Sequence, residues 1–131
     1  MSPTESGIIR IASQHSVAAT LERLEAALRA REVKIFARID FSGDASRAGL
    51  TLRAEQMLIF GNPKAGTPLM QAAPAAGLDL PVKALVWEDA DAKVWVAYND
   101  PHYVVQRHAL ADALAANLAA VTPLIEQAAA A

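Results

Sequence analysis

A two-residue period runs through the stretch Val33-Lys34-Ile35-Phe36-Ala37-Arg38-Ile39-Asp40-Phe41. Its odd-numbered positions are apolar, and its even-numbered positions are charged except at Phe36. Successive side chains of a strand point to opposite faces, so this pattern predicts a half-buried antiparallel strand. Because the polar face carries Phe36, we expect a partner or a ligand to cover part of that face.

A helix is predicted before this strand. Apolar residues recur there at spacings of four, three and four, which places them on one helical stripe: Val17, Leu21, Leu24 and Leu28. Ser16 stands directly before the stripe, where its hydroxyl can accept a hydrogen bond from the first turn. A short β-rich run, residues 8–11, precedes it and is predicted to be the first strand.

Further strands and short helices are predicted after residue 41. A polar segment, residues 42–49, breaks the sheet and has room for a helical turn, and strands are then predicted at residues 50–53, 57–61, 84–88 and 93–99. The fold class is therefore α+β: a mostly antiparallel sheet in the order β-α-β(4)-α, with helices packed on one face.

Proline marks the predicted starts of the later helices. Thr67-Pro68 predicts a helix over residues 68–76, because proline at the first helical position loses no needed hydrogen bond. Asp100-Pro101 predicts a helical turn by the same logic. A last helix is predicted from Leu110 to Ile125, with a bend at Pro123.

Length and composition limit the classes of protein. A domain commonly has about 100–200 residues, so the 131 residues are predicted to form a single domain, 1–131, with a core over about residues 8–125. Zero cysteines exclude disulfides, thiolate nucleophiles and cysteine-based zinc sites. A formal charge of −2 does not favour nucleic acid as a partner.

The sequence also shows no pattern typical of a targeting signal. No run approaches the roughly 20 apolar residues of a transmembrane helix, and the amino-terminal residues lack the basic start and apolar stretch of a secretory signal. We therefore expect a cytoplasmic protein without a nucleic-acid or membrane partner.

Three runs of sequence resemble the DUF302 family: LIFGNPKAGTPLM at residues 58–70, LPVKALVWED at 80–89 and VWVAYNDP at 94–101. The resemblance covers about residues 8–108. It implies a small α+β fold of the TATA-binding-protein-like (TBP-like) kind and frequent dimers, and it implies no activity, because the family is named for its unknown function. The family's hairpin turn often carries Asp-Gly, where this chain has Asp91-Ala92. If Ala92 adopts a positive φ, the turn loses about 1 kcal/mol.

The turn at residues 61–68 is the first candidate site. Gly61 and Gly66 are spaced as in a phosphate-binding P-loop, but the Lys-Ser/Thr pair and the parallel βαβ setting of that loop are missing. A weaker hypothesis keeps the turn as a site for a small or anionic ligand, with a helix start and the cation of Lys64 beside it. The predicted ligand-binding residues of this turn are Asn62, Lys64, Gly66 and Thr67.

A second candidate cluster follows the hairpin. Asp100 is placed to cap a helix beginning at Pro101, and that structural role is the simpler interpretation. The functional alternative makes Asp100 and His102 an acid–base pair beside Tyr98, although no nucleophile stands next to them in the sequence. Tyr98, Asp100 and His102 are therefore added to the candidate ligand-binding residues, and whether the protein is an enzyme stays open.

Histidine and tryptophan give weaker indications. His102 and His108 are six apart, which separates them by about 120° on one helix, so no metal site is predicted. Trp87 and Trp95 lie in neighbouring predicted strands and favour a core or dimer interface over a stacking platform. Their apolar surface, with that of Phe36, predicts a homodimer.

The functional hypothesis is thus a cytoplasmic, dimeric domain that binds a small or anionic ligand at the 61–68 turn. Two alternatives remain open: a small enzyme that uses Asp100 and His102 for proton transfer, and a structural or interaction module. The sequence identifies neither the ligand nor a cofactor.

Overall fold

The computed structural model describes residues 6–131. The expectation that the amino-terminal residues carry no secretory signal lies largely outside the described residues. The described chain contains five strands. In chain order they are Ile8–Ser13 (β1), Lys34–Asp40 (β2), Glu55–Gly61 (β3), Val82–Glu88 (β4) and Val94–Asn99 (β5).

Six α-helices in the described residues accompany the strands. They are Val17–Ala30 (α1), Phe41–Arg47 (α2), Pro63–Ala72 (α3), Pro101–Arg107 (α4), Ala115–Ala119 (α5) and Thr122–Ala129 (α6). Short 3-10 helices at Pro74–Asp79 and Asp112–Leu114 precede β4 and α5. The predicted long last helix is therefore wrong in detail: the chain forms two short helices there, and Pro123 lies in the first turn of α6, where proline is tolerated.

The strands form one sheet in the order β1-β5-β4-β3-β2, and every neighbouring pair is antiparallel. This arrangement confirms the predicted α+β class. The predicted strand at residues 50–53 is wrong, because those residues are exposed and hydrogen-bonded to no strand, and β3 begins only at Glu55.

The main core lies between one face of the sheet and helices α1 and α6. Helix α1 confirms its prediction: Ser16 caps it, with its side chain accepting from the Ala19 N–H at 3.1 Å, and the predicted stripe is buried. Leu21 and Leu28 are fully buried there. Each such leucine contributes about 1.5–3 kcal/mol of transfer free energy, which holds the helix on the sheet.

A second, smaller apolar cluster closes one end of the sheet. It joins α3, the 3-10 helix at Pro74–Asp79, α4 and α5, with Leu69 and Val105 fully buried. Val82 of β4 packs against both clusters. The two clusters are therefore neighbours, and the space between their helices is where a cavity forms.

A β-bulge in β2 corrects the predicted face assignment. The register with β3 shifts between Ile35 and Ala37, so Ile35 lies opposite the buried Phe60 while Ile39 lies opposite Met57. Phe60 and Met57 are three apart on β3 and so point to opposite faces. Ile35 therefore faces the helices and Ile39 the other side, although the alternation predicted that the two share a face.

Candidate functional site

A cavity of about 540 Å³ opens beside the first turn of α3. The bulge of β2 and the end of β3 form one wall, with Phe36 and Gly61. The opposite wall comes from α5, α6 and the residues between them, including Leu118 and Val121. Its size lies within the range of about 300–1,000 Å³ that is usual for small-molecule sites.

The cavity changes character from its floor to its mouth. The floor is apolar and largely buried: Leu80, Val82, Leu118, Val121 and Leu124. The mouth carries the exposed polar residues Arg31, Asn62 and Thr67, beside exposed apolar residues such as Phe36 and Met70. An amphipathic small molecule fits this gradient, with its apolar part on the floor and its polar part at the mouth.

The first turn of α3 is built differently from its prediction. The helix begins at Pro63, five residues before Pro68, because Asn62 is a competent cap whose side-chain oxygen accepts from the Lys64 N–H at 2.9 Å. Pro63 occupies the first helical position. Pro68 lies inside the helix, where the missing N–H removes one intrahelical hydrogen bond.

This correction changes the anion hypothesis for the turn. The N–H groups of Ala65 and Gly66 donate to the Asn62 carbonyl at 2.8 and 3.1 Å. The amides that were expected to be free at a helix start near Thr67 are therefore within α3. A ligand here meets side chains and the positive end of the helix dipole, not a nest of open N–H groups.

Asn117 fastens α5 to this turn. Its side-chain Nδ2 donates to the Ala65 carbonyl at 3.1 Å, across the cavity wall. Asn117 also lines the cavity. The two walls, 52 residues apart in the sequence, are thus joined by a polar contact at the site itself.

The predicted residues of the 61–68 turn divide into two groups. Asn62, Gly66 and Thr67 line the cavity. Lys64 is exposed and does not belong to the lining residues. The cation at the mouth is instead Arg31, which follows the last residue of α1.

The predicted residues of the second cluster lie elsewhere. Tyr98 borders a separate small cavity of about 20 Å³. Asp100 is buried and caps α4, with Oδ1 accepting from the His102 backbone N–H at 3.0 Å. The His102 side chain is exposed, and among residues 6–131 no hydrogen bond joins it to the Asp100 carboxylate. The cap prediction is confirmed, and the geometry does not assemble an acid–base pair.

The buried Tyr98 and the half-buried Lys83, both beside the small cavity, have shifted pKa values. Burial raises the pKa of the Tyr98 hydroxyl above its ordinary 10.0, and Glu126 adds to the shift. Burial also lowers the pKa of the Lys83 amine, an effect that Asp79 opposes. Lys83 Nζ donates to the Pro81 carbonyl at 3.0 Å, so the amine is held at the end of β4.

Two of the three histidines take part in structural contacts. His108 Nε2 lies 2.5 Å from Asp79 Oδ2, and His15 Nε2 lies 2.6 Å from the Ala130 carbonyl. In the part of the chain that the structure describes, no group of three or more His, Asp or Glu side chains is arranged to hold a metal ion.

Sequence reasoning missed Arg31 and the helical wall of the cavity. Arg31 is a helix-terminal cation, a common solvated position, and nothing local distinguishes it. Asn117 and Val121 reach the site only through the packing of α5 and α6 on the sheet. One signal did exist: Phe36, an aromatic residue on the polar side of its strand, lies in the cavity wall.

Together, the single antiparallel sheet and its helical layer define a small α+β domain with a cavity beside the first turn of α3. The chain belongs to the family described as "Domain of unknown function DUF302", whose family model matches residues 9–128.

Curated relatives come from Brucella. The chain is 46% identical over 106 residues to "Fluoride-specific ion channel FluC 1" of Brucella suis biovar 1 (strain 1330), which covers 81% of this chain and 42% of that protein. The protein of the same name from Brucella abortus biovar 1 (strain 9-941) is also 46% identical, with 39% of its length covered. The chain thus spans about two-fifths of the length of these relatives.

A solved structure supports the fold. The crystal structure of an uncharacterized conserved DUF302 protein from Bacillus stearothermophilus matches with a TM-score of 0.77, at 17% identity, over 94% of this chain and 95% of that one. Among the helices of residues 6–131, none has both the length and the apolar character needed to cross a membrane.

Proposed function

We propose that this domain binds a small, mostly apolar molecule in the cavity beside the first turn of α3. The observation that carries the proposal is the gradient from an apolar floor at Leu118 and Leu124 to a polar mouth at Asn62 and Thr67. Transfer of apolar surface from water onto an apolar lining is favourable, at about 25 cal/mol per Å² of surface removed from water. A ligand that fills the cavity gains this transfer free energy.

Titration with octanol, followed by amide NMR shifts, tests the proposal. We expect saturable shifts at Gly66 and Val121, which lie on opposite walls. Ala120 is exposed at the mouth, so Ala120→Trp should obstruct the cavity without disturbing the core. Ala116→Trp is the matched control, because Ala116 is exposed on α5 outside the lining. Absence of saturable shifts, or equal loss in both variants, would contradict the proposal.

Fluoride is a ligand that the name of the Brucella relatives suggests, and the site favours it less. A small anion needs several converging donors. Here the Asn117 amide already donates to Ala65, and the Lys64 and Gly66 amides are bonded to Asn62. Fluorine NMR with the isolated domain would show whether fluoride binds, and the octanol titration shows whether an apolar molecule does.

The acid–base alternative rests on Asp100 and His102 and gains no support from their geometry. Conversion of a substrate that is lost in His102→Ala would establish it. The expected cytoplasmic location stays a prediction.

A second copy of this chain is the protein partner that we infer, through the sheet face opposite α1. That face holds half-buried apolar side chains across three strands, with Met57 opposite Leu85 and Trp87 opposite Trp95. Arg10 lies at its β1 margin, and Glu55 lies opposite Trp87 toward its other margin. A two-fold contact between such faces brings the cation of one copy toward the carboxylate of the other.

Light scattering tests the dimer. Leu85→Lys places a charge in the centre of the face and should yield monomer. Leu78→Lys is the control, because Leu78 is 77% exposed on the 3-10 helix away from the sheet. A monomer of the unaltered chain at high concentration would contradict this part of the proposal.

A further inference from the structure

The charges around the cavity mouth are one-sided. Among the residues of the described chain that line the cavity, Arg31 is the single charged side chain, and none is Asp or Glu. Within residues 6–131, Arg31 forms no ion pair, whereas Arg29 two positions earlier pairs with Glu25 at 3.9 Å. Within the described chain, a cation without a partner carboxylate therefore stands at the mouth of a mostly apolar cavity.

Other positive groups adjoin the cavity lining. The first turn of α3 lines the mouth, so the positive end of that helix dipole lies there. On β2, the Lys34 amine lies 5.0 Å from the ring centroid of Phe36, which is itself a wall residue. These groups stabilise negative charge at the mouth and disfavour positive charge.

We propose that the ligand of this cavity is an amphipathic anion, of the class of a medium-chain carboxylic acid, whose carboxylate pairs with Arg31. The inference rests on the proposed binding function and adds the charge of the ligand to it. The alkyl chain lies along Leu118, Val121 and Leu124, and the carboxylate stays at the mouth. Because the Arg31 side chain is exposed, the ion pair forms with little desolvation and remains sensitive to salt.

Three probes with the same tail separate the charge of the ligand from its apolar contacts: octanoate, octanol and octylammonium. At low ionic strength we expect octanoate to bind about three- to fivefold more tightly than octanol, as for an exposed ion pair, and octylammonium to bind most weakly. Isothermal titration calorimetry or amide shifts at Gly66 and Thr67 give the affinities. Added salt should bring octanoate toward octanol.

Arg31→Gln should bring the affinity for octanoate most of the way down to that for octanol and should change octanol binding far less. Arg29→Gln is the matched control, because it removes a neighbouring cation that does not line the cavity. Equal binding of octanoate and octanol by the unaltered domain overturns the anion inference and leaves the binding function standing. A loss of both ligands in Arg31→Gln overturns the assignment to Arg31, and no binding of any probe overturns the proposed function itself.

Discussion

The carboxylate of Asp89 accepts a hydrogen bond from the indole Nε1 of Trp95 at 2.9 Å, across the β4–β5 hairpin. Its other oxygen accepts from the backbone N–H groups of Asp91 and Lys93 at 2.9 and 3.0 Å. One side chain thus satisfies three donors around the turn. This explains how a turn without the usual glycine keeps its shape, although Ala92 has a φ of 62°.

The hydrogen bonds of the Asp89 carboxylate should make the conformation of the β4–β5 hairpin sensitive to acid. The Trp95 and Lys93 hydrogen bonds hold the pKa of Asp89 below its ordinary 3.8. Because the folded pKa is lowered, this contribution to stability is present above about pH 4 and is lost as the pH falls through the folded pKa. The Trp95 indole N–H resonance should move over that range. Asp89→Asn should abolish the movement and Asp91→Asn should retain it; the same titration in Asp89→Asn would refute the assignment.

Ala92→Gly should stabilise the protein. A non-glycine residue in the left-handed region costs about 1–2 kcal/mol, and glycine avoids this cost but loses more backbone entropy on folding. The net gain should be about 0.5–1 kcal/mol in denaturant unfolding. Ala90→Gly in the same turn lacks the positive φ and should lose about 0.5 kcal/mol. A destabilised Ala92→Gly would show that another residue of the turn sets its conformation.

The contact between His108 and Asp79 should contribute more stability than the one between Arg107 and Asp79. His108 is 8% exposed in its side chain, whereas Arg107 is 52% exposed, and both contact the same carboxylate. Loss of a buried partner costs about 1–3 kcal/mol, so His108→Ala should cost this much. Arg107→Ala should cost less than about 1 kcal/mol. Urea unfolding of the two variants checks the order, and the reverse order would contradict it.

Lys64→Ala should leave both fold and ligand binding intact. Lys64 is exposed outside the cavity lining, so its loss should change stability by less than about 0.5 kcal/mol. Octanoate affinity should follow Arg31 and not Lys64. Inorganic phosphate, which has no apolar part, should shift the amides of residues 61–70 weakly and equally in Lys64→Ala and in the unaltered chain. A strong phosphate effect that depends on Lys64 would instead favour the original turn hypothesis.

The parts of the fold that local patterns determine were predictable. The capping hydroxyl of Ser16 and its apolar stripe define α1, and Asp100-Pro101 defines α4. Asn62-Pro63 carries the same cap-and-proline signal as Thr67-Pro68, and a helix that begins at Pro63 places Pro68 in its interior, which is normally unfavourable. The bulge at Phe36 has no local signature in an alternating run.

The candidate site was only half predictable for a related reason. The 61–68 turn is a contiguous stretch whose glycines and prolines are visible in the sequence. Its facing wall, from Asn117 to Leu124, becomes part of the cavity only when α5 and α6 pack against the sheet. Arg31 follows the end of α1, and Lys64 lies in the first turn of α3. Which of these two surface cations lies at the cavity depends on how the two helices pack in the folded chain.

The extra residue of the β2 bulge makes the length of an edge strand a determinant of the shape of the cavity. Deleting Phe36 would remove the bulge and would keep the pairs on either side of it, Ile35 with Phe60 and Ile39 with Met57, so Ile39 would still face away from the helices. The same deletion would remove an aromatic wall of the cavity. A single-codon deletion at this position therefore changes the cavity wall and leaves the opposite surface of the sheet as it is. The pocket can therefore diversify by such deletions independently of whatever covers the opposite face.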